Sequence, residues 1–119
     1  MKLNEVRELL DAEVLAGEGA VGSVEVEKAY ASDLMSDVLA FSSPAALLIT
    51  GLTNIHIFRT AQMLDIPAVV FVRGKKPDDK LLELAKEANM PILVTQMSMF
   101  ESSGRLYGNG LAPCVIPKR

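Results

Sequence analysis

Three continuous apolar runs, each followed by an amphipathic pattern, dominate the second half of the chain. The apolar runs predict strands at 45–49, 68–72 and 91–94. The patterns that follow predict helices at about 54–64, 78–88 and 99–107, and residues 98–101 form a capping box in which Ser98 is the predicted N-cap of the last helix. Continuous rather than alternating apolar strands are typical of burial on both faces, and strands that alternate with helices pair in parallel through right-handed crossovers. We therefore predict an α/β fold, a single domain with a mainly parallel sheet covered by helices.

We expect the N-terminal part of the chain to form a smaller β-containing segment that packs on this sheet. Leu3, Val6 and Leu10 recur at helical spacing among charged residues, which predicts a short amphipathic helix. Residues 12–15 are compatible with a short strand, and the glycines between residues 17 and 22 predict a loop.

A strand and a helix are predicted next. Valines and glutamates alternate over residues 24–27, which predicts a strand with one solvent-facing side that continues through 28–31. Ser32 is the predicted N-cap of the following helix, which ends near Phe41. Asp33 then falls in the first helical turn, where a carboxylate favours the helix dipole.

Composition limits the classes of function. The chain of 119 residues accommodates one core, and 50% hydrophobic residues argue against global disorder. A formal net charge of -3 and 5% aromatic residues with no Trp disfavour nucleic-acid binding, which favours basic faces and stacking rings. We predict a domain over residues 1–107 and a C-terminal tail over 108–119, which either frays or packs on a partner subunit.

Cysteine content and hydropathy indicate the compartment. Cys114 is the only cysteine and His56 the only histidine, which excludes an internal disulfide and a Cys/His zinc site. The N-terminal residues carry acids where a signal peptide has its apolar core, and no apolar run approaches the length of a membrane span. We expect a soluble, cytoplasmic protein without a membrane partner.

The carboxyl ends of the predicted parallel strands are the candidate site, because ligands of open parallel sheets bind there. These ends provide hydroxyls, an amide, glycine N–H groups and cations, a combination suited to an anion. The predicted ligand-binding residues are Thr50, Gly51, Asn54, Arg73, Gly74, Lys75, Thr95 and Ser98. In this hypothesis the N–H groups of Gly51 and Gly74 hold the anion and Arg73 and Lys75 neutralise it. The alternative is that these are turn glycines beside solvated cations.

No catalytic or cofactor set can be assembled from the sequence. The Walker pattern fails because Val69 stands at its first glycine and Lys76 at its Ser/Thr position, and no G-x-G-x-x-G string occurs. His56 has no carboxylate one helical turn away to orient it, and nothing in sequence near Cys114 lowers a thiol pKa. We expect no enzyme activity, no resident cofactor and no metal site.

Several segments, taken together in their order and spacing along the chain, resemble the stand-alone DRTGG-domain proteins over roughly residues 1–107. They are residues 2–6, 32–38, 48–51 with Asn54, 73–78, 91–95, 100–101 and 104–107. The five-residue string that gives the family its name is absent, and Thr50-Gly51 is its nearest counterpart. DRTGG domains occur in some phosphotransacetylases and CBS-domain pyrophosphatases, and their fold is similar to the N-terminal domain of HPr kinase/phosphorylase.

The resemblance implies a regulatory or ligand-binding module without catalytic residues of its own, which pairs as a homodimer. Combined with the candidate site, it leads us to expect a small phosphate-bearing or carboxylate ligand. The alternative is a protein–protein interaction module, the accessory subunit of a partner enzyme. Its surface would be the tail around Cys114 and the helix that holds Met97, Met99 and Phe100.

Overall fold

A computed structural model describes residues 1–117 and confirms the α/β fold with a mainly parallel sheet. The helices are α1 (Leu3–Leu10), α2 (Glu18–Val21), α3 (Met35–Phe41), α4 (Ile55–Met63), α5 (Asp79–Glu87) and α6 (Met99–Gly108). The strands are β1 (Glu13–Ala16), β2 (Lys28–Ala31), β3 (Leu47–Thr50), β4 (Val69–Phe71), β5 (Ile92–Val94) and β6 (Ala112–Pro113).

One six-stranded sheet runs through the domain in the order β1-β5-β4-β3-β2-β6. Only β1 is antiparallel to its neighbour, β5; the other pairings are parallel. Every residue of β3, β4 and β5 is buried, as continuous apolar runs predict. The carboxyl ends of β2, β3, β4 and β5 therefore share one edge of the sheet.

Each face of the sheet has its own hydrophobic core. Helices α3, α4 and α5 cover one face, where Phe71 and Leu48 pack against Ile57 and Leu81. Helices α1 and α6 cover the other face, where Leu3, Val6, Leu10 and Leu106 pack against inward side chains of β3, β4 and β5. The helical spacing at the N-terminus thus identified the buried positions of α1 correctly.

The segment before β3 differs from its predicted boundaries at both ends. The predicted strand begins at Ala45, but Ala45 has a φ of 65° and lies in a turn, so β3 begins at Leu47. The predicted N-cap at Ser32 is wrong, because the cap position of α3 is Leu34. The Ser32 hydroxyl instead accepts the N–H of Leu34 at 3.0 Å, in a turn that leaves Asp33 outside the helix.

The N-terminal segment also contains two differences. Residues 24–27 form no continuous strand; a single bridge joins Glu25 to Lys2, and β2 begins at Lys28. The predicted glycine loop contains the one-turn helix α2. Both differences lie in the connection that returns the chain from β1, at one edge of the sheet, to β2, near the other.

The tail packs on the domain itself over part of its length. Strand β6 pairs with β2, and Cys114 is buried with its Sγ 3.2 Å from the hydroxyl of Ser43. Val115 and Ile116 are exposed. The last two residues of the predicted tail, 118 and 119, lie outside the described residues.

Gly17 provides a close contact between the β1–α2 turn and the start of β5. Its φ is 69°, and a Cβ at this position would lie 2.5 Å from the backbone carbon of Met90. Gly19, in α2, has open space at the same position. The pair separates a required glycine from a replaceable one.

We expect Gly17→Ala to lower the free energy of unfolding by at least about 2 kcal/mol, since a left-handed alanine and a backbone clash add their costs. Gly19→Ala should be neutral or stabilising by up to about 1 kcal/mol. Urea unfolding followed by circular dichroism measures both. Equal stabilities for the two variants would show that the turn rearranges freely.

Candidate functional site at the carboxyl ends of the parallel strands

The fold brings four strand-end segments to one edge of the sheet. Asp33 follows β2, Thr50 and Gly51 end β3, Arg73 follows β4, and Thr95 follows β5. Because β2, β3, β4 and β5 are consecutive neighbours and mutually parallel, these segments lie in a row. The predicted strand ends do lie at one edge of the sheet, and the geometry there shows which of their polar groups already have internal partners.

An internal carboxylate occupies the centre of this edge. Asp33 Oδ1 accepts the N–H of Gly51 at 2.6 Å and the hydroxyl of Thr50 at 3.2 Å. Its Oδ2 lies 3.7 Å from Nη1 of Arg73. Asp33 thus bridges β2, β3 and β4, and the predicted placement of its carboxylate on a helix dipole is wrong.

Three donors from two strand ends surround this carboxylate. We call the set formed by the Thr50 hydroxyl, the Gly51 N–H and the Arg73 guanidinium the oxyanion cradle. Thr50 is fully buried, while about half of the Arg73 and Asp33 side chains remains exposed, at 47% and 45%. The Arg73 guanidinium covers Gly51, where a Cβ would come within 2.5 Å of Nη2. A side chain at position 51 would therefore displace Arg73.

The loop after β4 is bonded to the loop after β5. Arg73 has a φ of 58°, unusual for a residue other than glycine, and its N–H donates to the carbonyl of Met97 at 2.9 Å. The N–H of Gly74 donates to the carbonyl of Thr95 at 2.8 Å. The Gly74 N–H, predicted to bind an anion, is thus already paired within the protein.

Thr95 has a structural role in this conformation. It is buried, its hydroxyl donates to the carbonyl of Leu10 at 2.7 Å, and the same oxygen accepts the N–H of Met97 at 3.2 Å. The hydroxyl closes the end of α1 onto β5. Ligand binding by Thr95 would require these bonds to break.

Asn54 and Ser98 cap the helices that begin at this edge. The Asn54 side chain accepts the N–H of His56 at 3.0 Å, and the Ser98 hydroxyl accepts the N–H of Glu101 at 3.1 Å. Ser98 confirms the predicted capping position of α6. Both oxygens still reach solvent, because both residues are exposed.

Arg73 and Lys75 are the charged members of the predicted set, and both side chains are exposed. Arg73 pairs with Asp33, whereas Lys75 makes no hydrogen bond or ion pair from its side chain within residues 1–117. Lys76, next in the chain, is also exposed. The edge therefore presents three exposed cations, together with the carboxylates of Asp33 and, at the start of α5, of Asp78 and Asp79.

The other candidate chemistry does not converge here. Within residues 1–117 no group of three His, Cys, Asp or Glu side chains is arranged to hold a metal ion. His56 is exposed. Burial raises the pKa of the Tyr30 phenol, with smaller contributions from Asp37 and Cys114, so this phenol remains neutral at physiological pH. No helix of the described chain is both long and apolar enough to cross a bilayer.

Two clefts lie away from the oxyanion cradle. An apolar cleft of about 200 Å³ separates α6 from the β2–β6 end of the sheet and is lined by Ala29, Ile49, Leu106 and Tyr107 among others. A more polar cleft of about 350 Å³ is lined by residues that include Glu25, Glu27 and Lys28.

Comparison with known proteins decides the family. The DRTGG domain, as a protein-family model, matches residues 5–108. The chain belongs to the DRTGG-domain family. This confirms the resemblance that was predicted from short segments and their order along the sequence. A search of the curated proteins found no match.

A solved structure shares the fold of this DRTGG domain. It contains the CBS and DRTGG domains of the regulatory region of Clostridium perfringens pyrophosphatase, complexed with the activator diadenosine tetraphosphate. The sequences are 21% identical, and the structures agree with a TM-score of 0.70 over 88% of this chain. This chain spans 45% of that one, so the likeness concerns the fold of less than half of the pyrophosphatase fragment.

A stability measurement tests whether the Thr95 hydroxyl has a structural role in this DRTGG domain. Thr95→Val should lower the free energy of unfolding by about 1–3 kcal/mol, because the Leu10 carbonyl and the Met97 N–H lose their partner in a buried position. Thr53→Val, in the adjacent β3–α4 loop, is the control and should change stability by less than about 0.5 kcal/mol. Chemical denaturation gives both values. Equal effects would mean that the Thr95 hydroxyl contributes little to the fold.

Proposed function

We propose that this protein is a non-catalytic regulatory module that senses a small phosphate-bearing or carboxylate ligand at the carboxyl ends of its parallel strands. One observation carries the proposal: the edge already holds an oxyanion, the Asp33 carboxylate, between a backbone N–H, a hydroxyl and a guanidinium. Groups that hold a carboxylate in this way also suit a ligand phosphate.

The predicted site residues divide into two roles in this proposal. Arg73 and Lys75 contact the ligand directly, since their cationic groups are exposed. Thr50 and Gly51 supply neutral donors. The remaining residues hold the loops in place through internal bonds or caps; they are Asn54, Gly74, Thr95 and Ser98.

The fold neighbour supports a phosphate-bearing ligand. That pyrophosphatase regulatory region was solved with diadenosine tetraphosphate, a polyanion described as its activator. That regulatory region combines CBS and DRTGG domains, and its regulatory role, together with the exposed cations here, is consistent with a phosphate-bearing ligand. We propose the same general role, in the cytoplasm, where a protein with one unpaired cysteine stays reduced.

A second candidate function is protein association, as a homodimer or with a partner enzyme. The apolar cleft beside α6 is lined in part by Tyr107, whose side chain is exposed, and two more exposed apolar residues, Val115 and Ile116, follow β6 in the chain. The predicted contribution of Met97 and Met99 is weaker, because both pack against the core and only Phe100, at 89% exposure, projects outward.

Thermal-shift measurements test the ligand-sensing proposal. We expect phosphate, pyrophosphate, nucleotides or diadenosine tetraphosphate to include a ligand that raises the melting temperature of the wild-type protein. At 100 times its dissociation constant, such a ligand stabilises by about 2.7 kcal/mol, which shifts the midpoint on the order of 10 °C. The double variant Arg73→Ala/Lys75→Ala should lose this shift.

The control removes the same charge from the opposite edge of the sheet. Lys2 precedes α1 and Lys86 lies near the end of α5, both at the amino ends of the parallel strands. Lys2→Ala/Lys86→Ala should therefore retain the ligand shift. Equal loss in both double variants would show general charge attraction rather than a site, and an unresponsive wild-type protein would contradict the proposal.

Sedimentation velocity tests the association surface. If the apolar cleft and tail form a homodimer interface, Tyr107→Lys/Ile116→Lys should convert a dimer into a monomer, because it places two charges in the buried surface. Met63→Lys changes an exposed apolar residue at the end of α4 and should leave the dimer intact. A wild-type protein that sediments as a monomer at every concentration would reject the homodimer.

A further inference from the structure

We infer that Asp33 is an internal occupant of the oxyanion cradle, so that an anionic ligand binds there by displacing its carboxylate. This inference rests on the proposed function and deepens it, because it names the competing group and the exact donors that the ligand takes over. The ligand class follows from the occupant: an oxyanion with at least two oxygens on one centre, a carboxylate or a phosphate.

The bonds of Asp33 divide between its two oxygens as those of a bound anion do. Oδ1 receives two neutral donors from β3, the Gly51 N–H at 2.6 Å and the Thr50 hydroxyl at 3.2 Å. Oδ2 faces the Arg73 guanidinium at 3.7 Å. One oxygen is thus held by hydrogen bonds and the other by charge, and the donors come from strand ends other than that of Asp33.

Two of the three donors of the oxyanion cradle are positioned by β3 and not by the Asp33 carboxylate. Gly51 leaves room for the Arg73 guanidinium, since a Cβ at this position would lie 2.5 Å from Nη2 and push that side chain aside. Thr50 is held in place by its own second bond, as its hydroxyl oxygen accepts the N–H of Leu52 at 3.1 Å. Two of the donors are therefore held by β3 itself and stay in place when Asp33 leaves.

Asp33 can leave because it sits on an exposed connection outside regular structure. The residue lies between the end of β2 and the start of α3, and 45% of its side chain is exposed. Its neighbour Leu34 is exposed as well, so the Asp33 side chain can turn away without loss of packing, while the Ser32 N–H stays bonded to the carbonyl of Ile49 at 3.1 Å. A ligand that enters the cradle would release this segment and so change the surface beside α3.

Chemical rescue tests the inference with phosphate and acetate as probes. Asp33→Ala removes the internal carboxylate and should acquire a saturable thermal stabilisation by phosphate, and by acetate, relative to chloride at equal ionic strength. The apparent affinity for phosphate should exceed that of the wild-type protein by about tenfold or more, because a charge-assisted competitor is gone. Asp37→Ala is the control, since it removes the same charge four residues away and Asp37 makes no contact with the cradle donors.

A second variant, Asp33→Asn, keeps the test decisive if Asp33→Ala fails to fold. Asp33→Asn keeps an oxygen for the Gly51 N–H but no charge for Arg73, so it should fold and gain phosphate affinity to a smaller degree than Asp33→Ala. Phosphate responses of both Asp33 variants that equal the response of Asp37→Ala would overturn the inference.

Displacement of Asp33 and the proposed ligand-sensing function can be told apart by their outcomes. If the wild-type protein binds pyrophosphate through Arg73 and Lys75 but the Asp33 variants bind it no more tightly, ligand sensing stands and displacement of Asp33 is wrong. If the Asp33 variants gain anion binding while the wild-type protein responds to no ligand, Asp33 fills the cradle, but both its displacement by a ligand and the proposed function are wrong.

Discussion

Burial of three strands on both faces is the constraint on which this domain depends. Every residue of β3, β4 and β5 is buried, so helices must cover both sides of the sheet, and each connection between these strands must cross from one sheet end to the other. Parallel pairing follows, and with it the alignment of the strand-end loops. The site is thus a consequence of how the core is buried.

Polar groups brought together at a sheet edge must find partners, and here most of them find each other. Thr95 closes α1 onto β5, Gly74 joins the β4 loop to the β5 loop, and Asp33 joins β2 to β3. A ligand at this edge competes with internal bonds rather than with water alone. Such competition lowers affinity but makes binding change the protein, which suits a sensor better than a carrier.

Local pattern was sufficient to predict the central strands, the buried positions of α1 and the cap of α6. These depend on apolar runs and on capping residues close in sequence, which act through short-range geometry. The role of Asp33 depends on β2 pairing beside β3, and the fate of the tail depends on β6 pairing with β2. Neither pairing has a local signal in the sequence. The strand predicted from the alternation of residues 24–27 and the helix-dipole role predicted for Asp33 were therefore both wrong.

The same limit applies to the candidate site. Residue types at strand ends correctly indicated an edge rich in donors and cations, but not which donors are already bonded. The Gly51 N–H was predicted to hold an anion, and it does hold one, yet the anion belongs to the protein. Predicting that would have required the distance between two loops separated by the whole of α3.

The most direct test of the account is a titration of isotopically labelled wild-type protein with pyrophosphate, followed by the backbone amide signals in NMR. If pyrophosphate replaces the Asp33 carboxylate, the amide signal of Gly51 shifts first, together with those of residues 32–34 and 73–75. Shifts confined to the apolar cleft around Ala29 and Tyr107, or a Gly51 signal that never moves, would contradict it.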